Sequence, residues 1–152
     1  VKPRRDAVRR NAVRREAFGS SRRTRTGMTL ILVIEDDEAM RTVMSRALQL
    51  YGYDVCLARD GGEGLALWEA RRPDVTVTDL HMPNVDGIEA IIRLRGRDPD
   101  VRIVAVSGGD ARASFLALDS ASDLGATVVL PKPFTPEQLV AAVQAVRRPP
   151  AG

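Results

Sequence analysis

The sequence predicts an α/β domain: a doubly wound parallel sheet of five strands with five helices on its two faces, a three-layer sandwich. Three observations carry that reading. Short strand-like runs of four to six residues alternate along the chain with stretches whose apolar residues recur at helical spacing. The first run, Leu30-Ile31-Leu32-Val33-Ile34, is apolar throughout, as a strand buried on both faces must be. Glycine or proline punctuates most of the junctions. Strands that alternate with helices pack most simply as a parallel sheet covered on both sides.

Each element has its own signal. The first strand stops at Glu35-Asp36-Asp37-Glu38. A helix follows with Met40, Val43, Met44, Ala47, Leu48 and Tyr51 at helical spacing, and Gly52 is its stop. Tyr53 to Ala58 is the second strand. Gly61-Gly62 opens a helix carrying Leu65, Leu67 and Trp68 that closes before Pro73. Those glycines lack dinucleotide-fingerprint spacing. Asp74-Val75-Thr76-Val77 is the third strand, and Pro83 with Asn84 to Gly87 breaks it into a turn just past Asp79. Ile88, Ile91, Ile92 and Leu94 mark a third helix, ended by Gly96 and Pro99. Val101 to Val106 is the fourth strand and stops at Ser107-Gly108-Gly109. A fourth helix is expected within Ala111 to Leu124, with Gly125 after it. Thr127 to Leu130 is the fifth strand, followed by Pro131-Lys132-Pro133-Phe134. The last helix starts near Pro136, capped by Thr135, and buries Leu139, Val140, Val143 and Val146.

Composition narrows the function. Apolar residues at 44% and charged residues at 28% are ordinary globular values, and 152 residues suit one core. The single cysteine, Cys56, excludes an internal disulfide and a multi-cysteine metal site, and its strand context reads as a small buried hydrophobe. No apolar run has the length of a membrane span, so a cytoplasmic protein is expected. Charge is uneven. Residues 1–27 carry ten Lys or Arg against Asp6 and Glu16, a net of +8, and the remainder carries thirteen against eighteen, a net of −5. The basic stretch is too poor in apolar residues to fold alone and is expected to be disordered. It reads either as an arm for nucleic acid or another anionic surface, or as a start-site artefact with Met28 as the true start. The second reading is favoured, because Met28 directly precedes the first strand. The expected division is therefore 1–27 as extension, 28–148 as domain and 149–152 as tail.

Four strands end in polar groups at what must be one rim, because parallel strands share their C-terminal edge. The first gives Glu35 and Asp36, the third Asp79, the fourth Ser107 and the fifth Lys132. Three carboxylates meeting at a point repel unless a cation sits among them. Oxygen donors without His or Cys suit a hard ion such as Mg²⁺. A lysine and a hydroxyl beside that ion make a receptacle for a phosphoryl group, and a carboxylate such as Asp79 can form an acyl phosphate.

This set resembles the receiver domains of two-component response regulators, over essentially all of residues 28–148. The matching motifs are the acidic pair Glu35-Asp36, Asp79 followed by Met82-Pro83 and Asp86-Gly87, Ser107-Gly108, and Lys132-Pro133-Phe134. The resemblance implies a flavodoxin-like strand order of 2-1-3-4-5. It implies that Asp79 accepts a phosphoryl group from a histidine kinase or phosphotransfer protein, with Ser107 and Lys132 gripping phosphoryl oxygens. Mg²⁺ (or Mn²⁺) would be held by Asp36, Asp79 and the backbone carbonyl of His81, with Glu35 acting through water. Asp37 would face solvent at the start of the first helix, and the His81 imidazole would point away from the site. The Lys132–Pro133 bond would be cis.

The resemblance also implies a signalling module and no enzyme, with a downstream protein reading the face built from helix four, strand five and helix five. A stand-alone receiver is expected, with no DNA-binding domain after residue 148 and no membrane partner, and a weak homodimer is left open. Many receivers carry Tyr or Phe three residues before the lysine, where this chain has Val129, so an aromatic rotation switch is not expected here. The long interval from Ser107 to Lys132 suggests an extended loop before helix four. The alternative within the same fold is an unphosphorylated docking module. A haloacid-dehalogenase-type phosphatase would need Asp-x-Asp after the first strand, which Glu35-Asp36-Asp37-Glu38 does not supply.

Overall fold

The computed structural model describes residues 28–80, 87–108 and 126–147. In chain order these form β1 (Leu30–Ile34), α1 (Glu38–Leu50), β2 (Asp54–Ala58), α2 (Gly61–Arg71), β3 (Val75–Asp79), α3 (Gly87–Arg97), β4 (Ile103–Ser107), β5 (Val128–Pro131) and α4 (Pro136–Arg147). The helix expected within 111–124 lies outside the described residues, which hold four helices.

The strands form one sheet in the order β2-β1-β3-β4-β5, every pair parallel. Alternation along each strand divides the core in two. Leu30, Leu32, Ile34, Ile103 and Ala105 face α2 and α3, where Leu65, Trp68, Ile91 and Leu94 are buried. Ile31, Val33, Val75, Val77, Val104 and Val106 face α1 and α4, against Met44, Leu48, Leu139 and Val143. Every residue of β1, β3 and β4 is buried. Burying each such aliphatic side chain is worth about 1.5–3 kcal/mol, which holds the strand ends in fixed register beneath the site.

Local chemistry sets the helix ends. Asp37 accepts a hydrogen bond from the Met40 N–H at 2.7 Å and Asp60 one from Glu63 N–H at 2.8 Å. Thr135 accepts from Gln138 N–H at 3.1 Å while Gln138 Oε1 accepts from Thr135 N–H at 2.8 Å, a reciprocal capping box. Gly52 ends α1 with φ +86°, a conformation that glycine adopts without penalty.

Several expectations need correction. Gly96 does not stop α3, which runs to Arg97 with Gly96 inside it at ordinary helical φ. A helix interior tolerates glycine at a cost of about 1 kcal/mol. Val43, Tyr51 and Ile92 do not join the core; they are about half exposed. In each case the packed stripe is narrower than the apolar pattern. Cys56 and Trp68 are buried as expected. Of the methionines, Met44 is buried, whereas Met28 is exposed.

Candidate functional site at the C-terminal rim of the sheet

The rim residues stand where their strands run out. Glu35 N–H still donates to the Ala58 carbonyl at 3.1 Å, so Glu35 lies one step past β1, with its side chain almost wholly buried. Asp36, the next residue, is exposed, and Asp37 caps α1 with its side chain on the outside. Asp79 closes β3 and is 5% exposed. Ser107 closes β4 in register with Pro131. The Lys132 N–H then donates to the Ser107 carbonyl at 2.7 Å, which stitches the lysine to the end of β4. The Lys132–Pro133 peptide is cis, as the resemblance implied.

The structure brings these side chains together. Glu35, Asp36 and Asp79 each place a carboxylate oxygen within 4.8 Å of the others. Lys132 Nζ lies 3.2 Å from Glu35 Oε2 and 3.2 Å from Asp79 Oδ2. The Ser107 hydroxyl is fully buried and has no hydrogen-bond partner among the described residues. A buried polar group left unpaired costs about 1–3 kcal/mol, and such groups concentrate where a ligand completes them. His81, together with Met82, Pro83 and Asp86, lies outside the described residues.

The electrostatics follow from crowding. Burial first, and the charge of Asp79 second, push the Glu35 carboxyl up to about 7, against the pull of Lys132. For Lys132, burial works to lower the pKa, but attraction to Asp79 and then Glu35 outweighs it and raises the ammonium above its usual value. Lys132 thus pairs with two of the three clustered carboxylates, leaving a net negative cluster with the charge to suit a divalent cation.

Two glycines make this packing feasible. A Cβ on Gly87 would overlap the Asp79 carbonyl and lie 2.7 Å from Leu80 Cα, so only glycine lets α3 start this close to the end of β3. A Cβ on Gly108 would lie 2.9 Å from Lys132 Cδ and crowd the lysine's path into the site. Two further groups were not singled out by the sequence. Thr78 Oγ1 donates to the Asp79 carbonyl at 3.1 Å, and Arg41 Nη1 donates to the Glu35 carbonyl at 2.9 Å. Neither belongs to a recognisable motif. Only the folded path of α1 back across the rim reveals the second.

Comparison with known proteins gives a consistent picture. The family model described as the response regulator receiver domain matches residues 31–144. Response regulator MprA of Mycobacterium tuberculosis is 41% identical over 118 residues, covering 78% of this chain and 50% of that protein. MprA of Mycobacterium avium is 40% identical over the same shares. The chain therefore spans about half the length of the curated relatives it matches. Among solved structures, the Vibrio cholerae chemotaxis protein CheY4 superposes with a TM-score of 0.71 at 31% identity, covering 79% of this chain and 99% of that one. NtrX from Brucella abortus, with a TM-score of 0.74, 23% identity and coverage of 79% and 27%, is a likeness of fold alone.

Proposed function

The chain belongs to the response regulator receiver domains of two-component systems, and from that premise we propose that it accepts a phosphoryl group on Asp79 from a histidine kinase or phosphotransfer protein. One observation carries the assignment. A buried carboxylate, a lysine ammonium 3.2 Å from it, two further acids and a buried hydroxyl without a partner among the described residues converge at one rim. In the transfer, an Asp79 carboxylate oxygen bonds to phosphorus as the phosphorus–nitrogen bond of the donor phosphohistidine breaks, and the released imidazole nitrogen is left to take a proton from solvent. Lys132 offsets the added charge, and Ser107 offers its hydroxyl to a phosphoryl oxygen.

Mg²⁺ (or Mn²⁺) fits the donor set, which is all oxygen and carries more negative charge than Lys132 neutralises. Asp36 and Asp79 would hold the ion directly and Glu35 through water, with the His81 carbonyl assigned by family resemblance. When bound, the ion supplies positive charge against which the phosphoryl oxygens are neutralised.

Signalling by protein contact is the proposed output, through the face that carries β5 and α4; the helix expected within 111–124, which the family resemblance adds to that face, lies outside the described residues. Val129 is half-buried against the α2/α3 side of the core, so an aromatic rotation is not part of the switch. The Ser107 hydroxyl is instead the polar group that a new phosphoryl charge can recruit. No described helix is long and apolar enough to cross a membrane, and a cytoplasmic site of action fits a kinase donor.

The test is phosphorylation by acetyl phosphate with and without Mg²⁺, followed by intact mass, on the wild type and Asp79→Ala. Addition of one phosphoryl group that requires both Mg²⁺ and Asp79 is expected. A wild type that neither gains mass nor binds Mg²⁺ would leave a docking module in its place.

A further inference from the structure

The acid pair sits on a turn, not on a strand, yet its carboxylates must converge with Asp79 to within 4.8 Å. The turn is held from inside by short-range contacts. Asp37 N–H donates to Glu35 Oε1 at 3.2 Å, and Met40 N–H donates to Asp37 Oδ1 at 2.7 Å. The ladder satisfies the Glu35 N–H through Ala58, but β1 ends at Ile34 and no strand backbone meets the Glu35 carbonyl among the described residues. That carbonyl takes its hydrogen bond from Arg41 Nη1 at 2.9 Å, and the same nitrogen lies 3.5 Å from the Asp36 carbonyl, at the outer limit of a hydrogen bond. Arg41 is half-buried and forms no ion pair with a carboxylate among the described residues. Its guanidinium is therefore committed to the backbone of the acidic turn.

We propose that Arg41 is a positioning residue for the cation site: its guanidinium, reaching back one helical turn from α1, clamps the Glu35–Asp36 backbone so that both carboxylates face Asp79. This rests on the phosphoacceptor reading and deepens it. The planar guanidinium presents donors in a fixed geometry, so one side chain can hold two successive carbonyls at once. Its charge also lies beside a net negative cluster, where it lessens the repulsion that otherwise drives the turn open. Arg41 touches neither the phosphoryl acceptor atom nor the carboxylate oxygens in this structure. Its influence runs through the turn, in the way that groups behind a ligand fix the ligand's orientation.

Calorimetric titration with Mg²⁺ tests this on the wild type, Arg41→Met and Arg41→Lys, alongside the rate of phosphorylation by acetyl phosphate at saturating Mg²⁺. Arg41→Met is expected to weaken Mg²⁺ binding about tenfold. Its rate at saturating Mg²⁺ should stay within about twofold of wild type, because the ion, once bound, draws the carboxylates into place. Arg41→Lys keeps the charge but loses the planar guanidinium whose Nη1 faces both carbonyls, so it too should weaken binding. It also decides the matter alone if Arg41→Met does not fold, as checked by circular dichroism. Unchanged Mg²⁺ affinity in a folded Arg41→Met, or wild-type affinity in Arg41→Lys, overturns the clamp. A wild type that binds no Mg²⁺ overturns the phosphoacceptor reading along with it, whereas a wild type that binds Mg²⁺ beside an unaffected Arg41→Met overturns the clamp alone.

Discussion

The two rims of the sheet are built from the same residue types and treat them in opposite ways. At the N-terminal rim, charged side chains close local backbone gaps. Asp74 Oδ2 accepts from Leu30 N–H at 2.8 Å, Arg102 donates to the Arg147 carbonyl at 2.6 Å, and Arg95 donates to the Pro99 carbonyl at 2.6 Å. At the C-terminal rim, three carboxylates crowd one another, two of them against one lysine, and a buried hydroxyl has no described partner. The first rim spends its polar groups on folding; the second holds them against one another. That difference separates a structural charge from a functional one, and it can be tested by substitution.

The largest effect is expected at Lys132. Lys132→Met removes the cation that both Glu35 and Asp79 face, so phosphorylation by acetyl phosphate at saturating Mg²⁺ should fall by about a hundredfold, the usual scale for losing one charge-stabilising donor. A rate within about threefold of wild type would mean the lysine is a rim ornament like its counterparts at the other edge.

Glu35 gives the next effect, read through pH in the metal-free protein. Its carboxyl, pushed up to about 7 in the folded protein, stands above the 4.5 of an unburied glutamate. Between those values the unfolded chain has released a proton that the folded chain still holds, so stability must decline as pH rises from about 4.5 to 7. At 1.36 kcal/mol per unit, the decline attributable to this group is up to about 3 kcal/mol. Thermal melts across that window should fall with pH in EDTA, and Glu35→Gln should flatten the slope. Saturating Mg²⁺ should reverse the trend, because the ion favours the ionised carboxylates. A wild-type slope that Glu35→Gln leaves unchanged would assign the pH dependence elsewhere.

The sequence made the sheet and the rim legible for a simple reason. A parallel sheet with both faces covered needs uninterrupted apolar strands, and Leu30–Ile34 can be little else. Strand direction then carries every strand's last residue to the same edge, so Glu35, Asp79, Ser107 and Lys132 could be gathered without coordinates. What the pattern could not reveal depends on path and depth. Val43 and Tyr51 obey the helical period of α1 yet sit at the margin of its stripe, where burial is decided by the neighbour's reach. Gly96 looked like a stop because propensity is local, whereas α3 is held by Ile91 and Leu94 in the core. Arg41 stayed silent because a side chain that bonds a backbone carbonyl leaves no partner residue type to recognise.

The smallest effect is also the most direct comparison, since it makes a similar change at each rim. Asp74→Ala deletes the acceptor for Leu30 N–H at the start of β1, and losing one such hydrogen bond should cost about 1 kcal/mol of stability, with or without Mg²⁺. Asp79→Asn keeps the shape and an acceptor toward Lys132 but removes a charge that repels Glu35. It should therefore gain about 1 kcal/mol in EDTA at pH 8, where Glu35 is ionised, and lose the increment that Mg²⁺ gives the wild type. Denaturant unfolding of both variants, with and without the ion, reads the two signs together. Destabilisation by Asp79→Asn in EDTA would put this aspartate on the same footing as Asp74, a charge held for folding. Opposite signs would mean that stability has been given up at one rim for the capacity to hold a cation and a phosphoryl group.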